Sequence, residues 1–174
     1  MTTRRARSVS RTVPCMTPEE FRRHGHEMVD WIADYLDGGV AQQSVIADVK
    51  PGDVRAQLPE HPPTQVESFD VVMEDFEKII VPGLTQWQHP DFFAWYPSNI
   101  TFPSILGELA AAGLGVNAMA WATSPAATEL ETLMLDWMHE LLDLPPQFRS
   151  TSERGGGVIQ GTASESTLIA MLAA

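Results

Sequence analysis

Hydrophobic residues in this chain recur at three- and four-residue intervals and alternate almost nowhere, so the sequence encodes helices with next to no sheet to pack on. Thr17-Pro18-Glu19-Glu20 joins a capping box to a proline at the first helical position. Phe21, Met28, Trp31, Ile32, Tyr35 and Leu36 follow at helical spacing until Gly38-Gly39 stops the run. A second helix is expected from Ser68 to Ile80, carrying Phe69, Val72, Phe76, Ile79 and Ile80 on one side and ending at Pro82-Gly83. An alanine-rich helix is expected from about Pro103 to Ala112. Ser124-Pro125 opens the strongest helix, whose Leu130, Leu133, Met134, Trp137, Met138 and Leu141 form a broad apolar face before Pro145-Pro146. A last helix is expected from about Thr162.

The connections are equally marked. Residues 40–66 contain Pro51, Gly52, Pro59, Pro62 and Pro63 and are expected to lack regular structure. Residues 84–103 are rich in aromatics but broken by Pro90, Pro97 and Pro103, the pattern of a packed irregular loop. Residues 157–160 alone read as a strand, and a strand needs a partner that this sequence does not offer. The final helix carries Leu168, Ile169, Met171 and Leu172 straight into Ala174 with no capping glycine or cationic turn, so the expectation is a helix that continues and a chain cut short.

Charge narrows the function classes. Eleven Lys+Arg against 23 Asp+Glu leave a net charge of −12, which argues against a general nucleic-acid binder. Residues 1–15 hold Arg4, Arg5, Arg7 and Arg11 and no acid, so they are expected to form a disordered basic extension, with Met16 a sensible alternative start. The single cysteine, Cys15, leaves no intrachain disulfide to staple a secreted fold. No apolar run approaches the roughly 20 residues that cross a bilayer, so no membrane partner is expected.

Gly155–Thr162 invites phosphate motifs, and two fail by spelling: a dinucleotide fingerprint needs glycine where Gln160 stands, and a P-loop needs lysine where Thr162 stands. What remains is a glycine followed by Thr162-Ala163-Ser164 at a helix start, where free amides, the positive end of the helix dipole and two hydroxyls would converge on an anion. The alternative is a plain capped start, Thr162 or Ser164 bonding its own backbone, and these residues alone favour it. The loop Trp87–Tyr96 is either a pocket wall or core. His24, His26, His61, His89 and His139 lack metal-ligand spacing and are read as structural. Glu129, Glu131 and Asp136 are read as helix-start electrostatics and a solvated face. Lys50 and Lys78 are read as solvated, unlike a buried amine suited to imine chemistry.

Six ordered blocks carry a resemblance that no single one would support. They are Glu20–Asp30, Val49–Gly52, Lys78–Gly83, His89–Pro97 (His-Pro-Asp-Phe-Phe-Ala-Trp-Tyr-Pro), Ser124–Glu131 (Ser-Pro-Ala-Ala-Thr-Glu-Leu-Glu) and Gly155–Ser166 (Gly-Gly-Gly-Val-Ile-Gln-Gly-Thr-Ala-Ser-Glu-Ser). From Met16 to Ala174 the chain resembles the amino-terminal part of the pyridoxal-phosphate-dependent group II decarboxylases, the aromatic-L-amino-acid decarboxylase family.

The resemblance implies an α/β fold of the aspartate-aminotransferase type (fold type I of the pyridoxal-phosphate enzymes) when whole, this stretch being mostly helical with little or no sheet. It divides the chain into residues 16–103, a helical dimer clasp with the substrate loop, and residues 104–174, the start of the large cofactor-binding domain. It makes Ala163 and Ser164, with Thr162 beside them, the cradle for the phosphate of pyridoxal 5′-phosphate. Trp95, Tyr96, Pro97 and Ser98 match the loop lining the substrate pocket, Ser98 standing where threonine is frequent, and Trp87 joins them. Met119 matches a segment that reaches the partner subunit's site, where animal enzymes favour an aromatic, so substrate preference stays open. The implied protein is a cytoplasmic homodimer converting an aromatic L-amino acid to its amine and CO2. The Schiff-base lysine, the ring-pairing aspartate, the stacking histidine and the catalytic loop have no counterpart here, so this chain alone is expected to be inactive. An aldehyde synthase of the same family and a non-catalytic helical interaction fragment are the alternatives.

Overall fold

The computed structural model describes residues 16–62, 64, 66–96 and 99–174. The basic segment 1–15 and the loop residues Pro97 and Ser98 lie outside the described residues. Two compact units divide the chain between Phe102 and Pro103.

In the first unit α1 spans Pro18–Asp34. Its capping box forms as the sequence dictates: the Thr17 hydroxyl accepts the Glu20 amide at 3.2 Å, and the Glu20 carboxylate accepts the Thr17 amide at 2.7 Å. The Thr17 amide, then the Thr17 hydroxyl donating to the same carboxylate at 2.9 Å, holds the Glu20 carboxyl below its ordinary pKa. A π turn over Tyr35–Gly39 and a 3-10 turn over Val40–Gln42 extend α1, with Gly38 at φ 111 making the bend. The connector is less irregular than its prolines imply. A five-residue helix, α2, forms at Asp53–Gln57, because Gly52 takes φ 102 just ahead of it and the Asp53 carboxylate accepts the Lys50 amide at 2.8 Å. Helix α3 covers Phe69–Asp75 and runs on through a π turn, Phe76–Ile80, and a 3-10 turn, Val81–Gly83.

Helices α1 and α3 cover each other in part. Trp31 stacks on Tyr35 (5.1 Å between ring centroids) and meets Phe76 edge-on at 4.9 Å, while His24 packs on Phe69 at 4.8 Å. Val40 and Val81 are the buried apolar residues of this unit. The centre is polar: Gln86, 2% exposed, accepts the Tyr35 hydroxyl and donates to the Val81 carbonyl at 2.9 Å. Burial pushes the Tyr35 phenol above its ordinary pKa.

Helices α4 (Phe102–Leu114), α5 (Pro125–Leu141) and α6 (Ala163–Ala173) dominate the remainder, with a 3-10 turn at Pro146–Phe148. Helix α5 stops short of Pro145-Pro146 because Asp143 turns the backbone into the left-handed region, φ 49. No strand forms among the described residues, and residues 157–160, which read as one in the sequence, run without a strand partner. None of the described helices is long and apolar enough to cross a membrane.

Candidate functional site

Helix α6 begins where the sequence places it. Thr162 takes an extended conformation and its hydroxyl accepts the Glu165 amide at 3.1 Å. Glu165 reaches back and accepts the Gly161 amide at 3.0 Å. The capped start is therefore present. Thr162 is spent on capping, while the Ser164 hydroxyl and the amides of Ala163 and Ser164 have no partner among the described residues. Two amides, one hydroxyl and the positive end of an 11-residue helix are the donors an anion needs.

The run into this mouth is tightly packed. A side chain at Gly155 would strike the Arg149 carbonyl at 2.1 Å and the Gln147 carbonyl at 2.6 Å. Gly156 sits at φ 124 and donates its amide to the Phe148 carbonyl at 3.0 Å. The acids of α5, read from the sequence as helix-start electrostatics and a solvated face, also carry hydrogen bonds: Glu129 stays exposed, and Glu131 and Asp136 are half-buried. Glu129 accepts the Trp121 indole at 2.8 Å, Glu131 accepts the Ile159 amide at 2.8 Å, and Asp136 accepts the Ser150 amide at 2.9 Å and its hydroxyl at 2.5 Å. The Ser150 hydroxyl, then its amide, holds the Asp136 carboxyl below the ordinary carboxylate range. Sequence missed these roles because the partners lie 8 to 28 residues away.

The aromatic loop belongs to the first unit. Trp87 stacks with Phe92 at 5.2 Å and with Trp95 at 5.8 Å, forming one aromatic face rather than scattered core residues. Tyr96 stands free of that stack, 99% exposed. Met119, in the second unit, is 82% exposed on a turn held by its own amide and the Asn117 side chain at 2.9 Å. Trp87, Trp95 and Tyr96 thus sit on one loop, and Met119 and the α6 mouth on other elements.

His24, Glu27 and Asp70 place ligand atoms within 4.8 Å of one another, as a metal site would. Arg23 closes that arrangement. Its guanidinium, which can only donate, lies 2.8 Å from His24 Nε2, so His24 Nδ1 carries the proton and donates to Glu27 at 2.8 Å. Arg23 also reaches Glu27 at 3.0 Å and Asp70 at 3.3 Å, making an ion-paired knot between α1 and α3. Neither lysine has the environment of a nucleophilic amine. Lys78 pairs with Glu74, which raises its pKa, and Lys50 is exposed.

Comparison with known proteins decides the family. The Pyridoxal-dependent decarboxylase conserved domain matches residues 51–174. The chain belongs to this family. Aromatic-L-amino-acid decarboxylase of Bos taurus is 48% identical over 160 residues, covering 91% of this chain and 33% of that protein. Phenylacetaldehyde synthase of Arabidopsis thaliana is 48% identical over 159 residues, covering 91% and 32%. The crystal structure of Catharanthus roseus tryptophan decarboxylase in complex with L-tryptophan superposes with a TM-score of 0.86 at 41% identity, covering 93% of this chain and 34% of that one. The chain therefore spans about a third of the length of these decarboxylase-family relatives.

Proposed function

We propose that this chain forms the amino-terminal part of a pyridoxal-phosphate-dependent enzyme that decarboxylates an aromatic L-amino acid to its amine and CO2, with the α/β fold of the aspartate-aminotransferase type when whole. The observation that carries the reading is the mouth of α6: in a chain of this family, it keeps the amides of Ala163 and Ser164 and the Ser164 hydroxyl unpartnered. That donor set fits a phosphate dianion, with the Glu165 carboxylate drawn back onto the Gly161 amide beside it. Ala163 and Ser164 hold the phosphate, with Thr162 fixing the helix start rather than donating to the ligand. When bound, pyridoxal 5′-phosphate supplies the electron sink that makes loss of CO2 feasible.

The remaining assignments belong to the same proposal. Trp87, Trp95 and Tyr96, with Pro97 and Ser98, wall the substrate pocket, and the stacked indoles supply flat apolar area for an aromatic ring. Met119 reaches the partner's site in a homodimer, and the exposed Phe21, Val29, Val71 and Val72 on α1 and α3 are apolar surface such a partner covers. A cytoplasmic location accords with a lone cysteine that forms no intrachain disulfide.

The test is to supply the complete polypeptide with L-dopa, L-tyrosine, L-tryptophan and L-phenylalanine and to measure CO2 and amine. Amine and CO2 in equal amounts support the decarboxylase; no CO2 from any aromatic amino acid overturns it. An aldehyde synthase is the second reading, because a phenylacetaldehyde synthase matches this chain as closely as the decarboxylases do. Aldehyde, ammonia and hydrogen peroxide in place of amine, with dioxygen and water consumed, would select it.

A further inference from the structure

Residues 157–160 are where the sequence places a strand and the structure forms none, yet the segment is held in register. Among the described residues, Ile159 is the one member of this segment whose amide has a protein partner, the Glu131 carboxylate at 2.8 Å. One helical turn further along α5, the Leu135 side chain lies against Gly157, close enough that a side chain at 157 would meet it at 3.3 Å. Glu131 and Leu135 are four apart and share a face of α5, and that face meets the segment at the Ile159 amide and at Gly157. The two contacts lay the segment along α5 at two points. Two residues beyond Ile159, Gly161 begins the turn into α6, its amide taken by Glu165 at 3.0 Å.

We infer that Glu131 is a positioning residue: by holding the Ile159 amide it sets the register of residues 157–161 along α5, and so the placement of the free Ala163 and Ser164 donors. This rests on the phosphate assignment proposed above. An ionised acceptor makes a shorter and stronger bond to an amide than a neutral one. The anchor stands in the amino-terminal half of the 17-residue α5, and the two-residue link to Gly161 leaves little slack between it and the mouth. Glu131 touches neither cofactor nor substrate in this account.

The test uses the complete polypeptide, freed of cofactor and titrated with pyridoxal 5′-phosphate and, separately, with pyridoxal, which has the ring but no phosphate. Glu131→Ala is expected to weaken pyridoxal 5′-phosphate binding tenfold or more while leaving pyridoxal within twofold. Glu131→Gln keeps an acceptor oxygen at the same reach and is expected to recover most of the loss. Glu131→Asp keeps the charge one methylene short and is expected to behave like Glu131→Ala. Wild-type affinity in Glu131→Asp, or equal losses for the two ligands, overturns the assignment. If Glu131→Ala does not fold, the Asp and Gln variants decide by the same criterion. Ser164→Ala separates the two layers: a loss there beside unaffected Glu131 variants sinks the positioning role and leaves the phosphate assignment standing. No loss in Ser164→Ala overturns both.

Discussion

Gln86 is the most deeply buried large side chain among the described residues, and nothing local in the sequence marks it. A glutamine between Thr85 and Trp87 in a proline-broken loop reads as surface, the usual place for its type. Its side chain is buried because both ends are satisfied by partners far apart in the chain, the Tyr35 hydroxyl 51 residues away and the Val81 carbonyl, while its own amide donates to the Val45 carbonyl at 2.9 Å. Gln86→Leu is expected to destabilise the protein by about 2–4 kcal/mol, since it strands a phenol and a carbonyl that each cost about 1–3 kcal/mol unpaired. Thermal unfolding of the variant measures this; an unchanged Tm would show that water replaces the amide without loss. The Thr17 capping box was by contrast fully legible, because all of its partners lie within three residues. Thr17→Ala should cost about 1 kcal/mol, read from the same melts.

Helix α5 shows why elements were easier to place than their side chains' duties. Its start at Ser124-Pro125 and its apolar face follow from local signals, as does the N-cap of α6 at Thr162. The hydrogen bonds of the α5 acids are not legible, since a glutamate on a solvated face and one that also grips a distant amide look alike until the loops are in place. The π turn at Tyr35–Gly39 was likewise hidden, because it depends on how the α1 end is packed. Asp136 gives this element a pH signature. Its folded pKa is lowered by Ser150, so the folded state binds that proton less readily than the unfolded chain. The stabilisation is complete above the ordinary aspartate value of about 3.9 and disappears as pH falls through the lower folded value. Asp136→Asn should therefore melt below wild type at pH 7 and converge with it toward pH 3. A constant gap across that range would assign the effect to packing. Gly155→Ala, driven into two carbonyls, should destabilise by about 1–3 kcal/mol or more at every pH.

At the scale of the whole molecule, the parts are legible in fragments: a helix mouth with unpartnered donors in one unit and a stacked aromatic loop in the other, for which the residues alone favour a capped helix and a core. Spacing could not promote them, because each is an ordinary local motif and its meaning depends on residues from distant parts of the chain. The same logic settles what the chain's own amines do. An imine-forming lysine must be unprotonated near neutral pH, which burial or a neighbouring cation achieves. Lys78 has the reverse environment, since the Glu74 carboxylate raises its pKa and holds it as an ammonium, and Lys50 is solvent-exposed in a loop. Borohydride reduction of the complete polypeptide loaded with pyridoxal 5′-phosphate, followed by peptide mapping, should therefore leave both Lys50 and Lys78 unlabelled and place the reduced cofactor on a lysine outside residues 1–174. A pyridoxyl group on Lys78 would require its ion pair with Glu74 to break before reaction. Glu74→Gln would then raise labelling of Lys78 by removing the charge that keeps it protonated, which gives that outcome its own independent check.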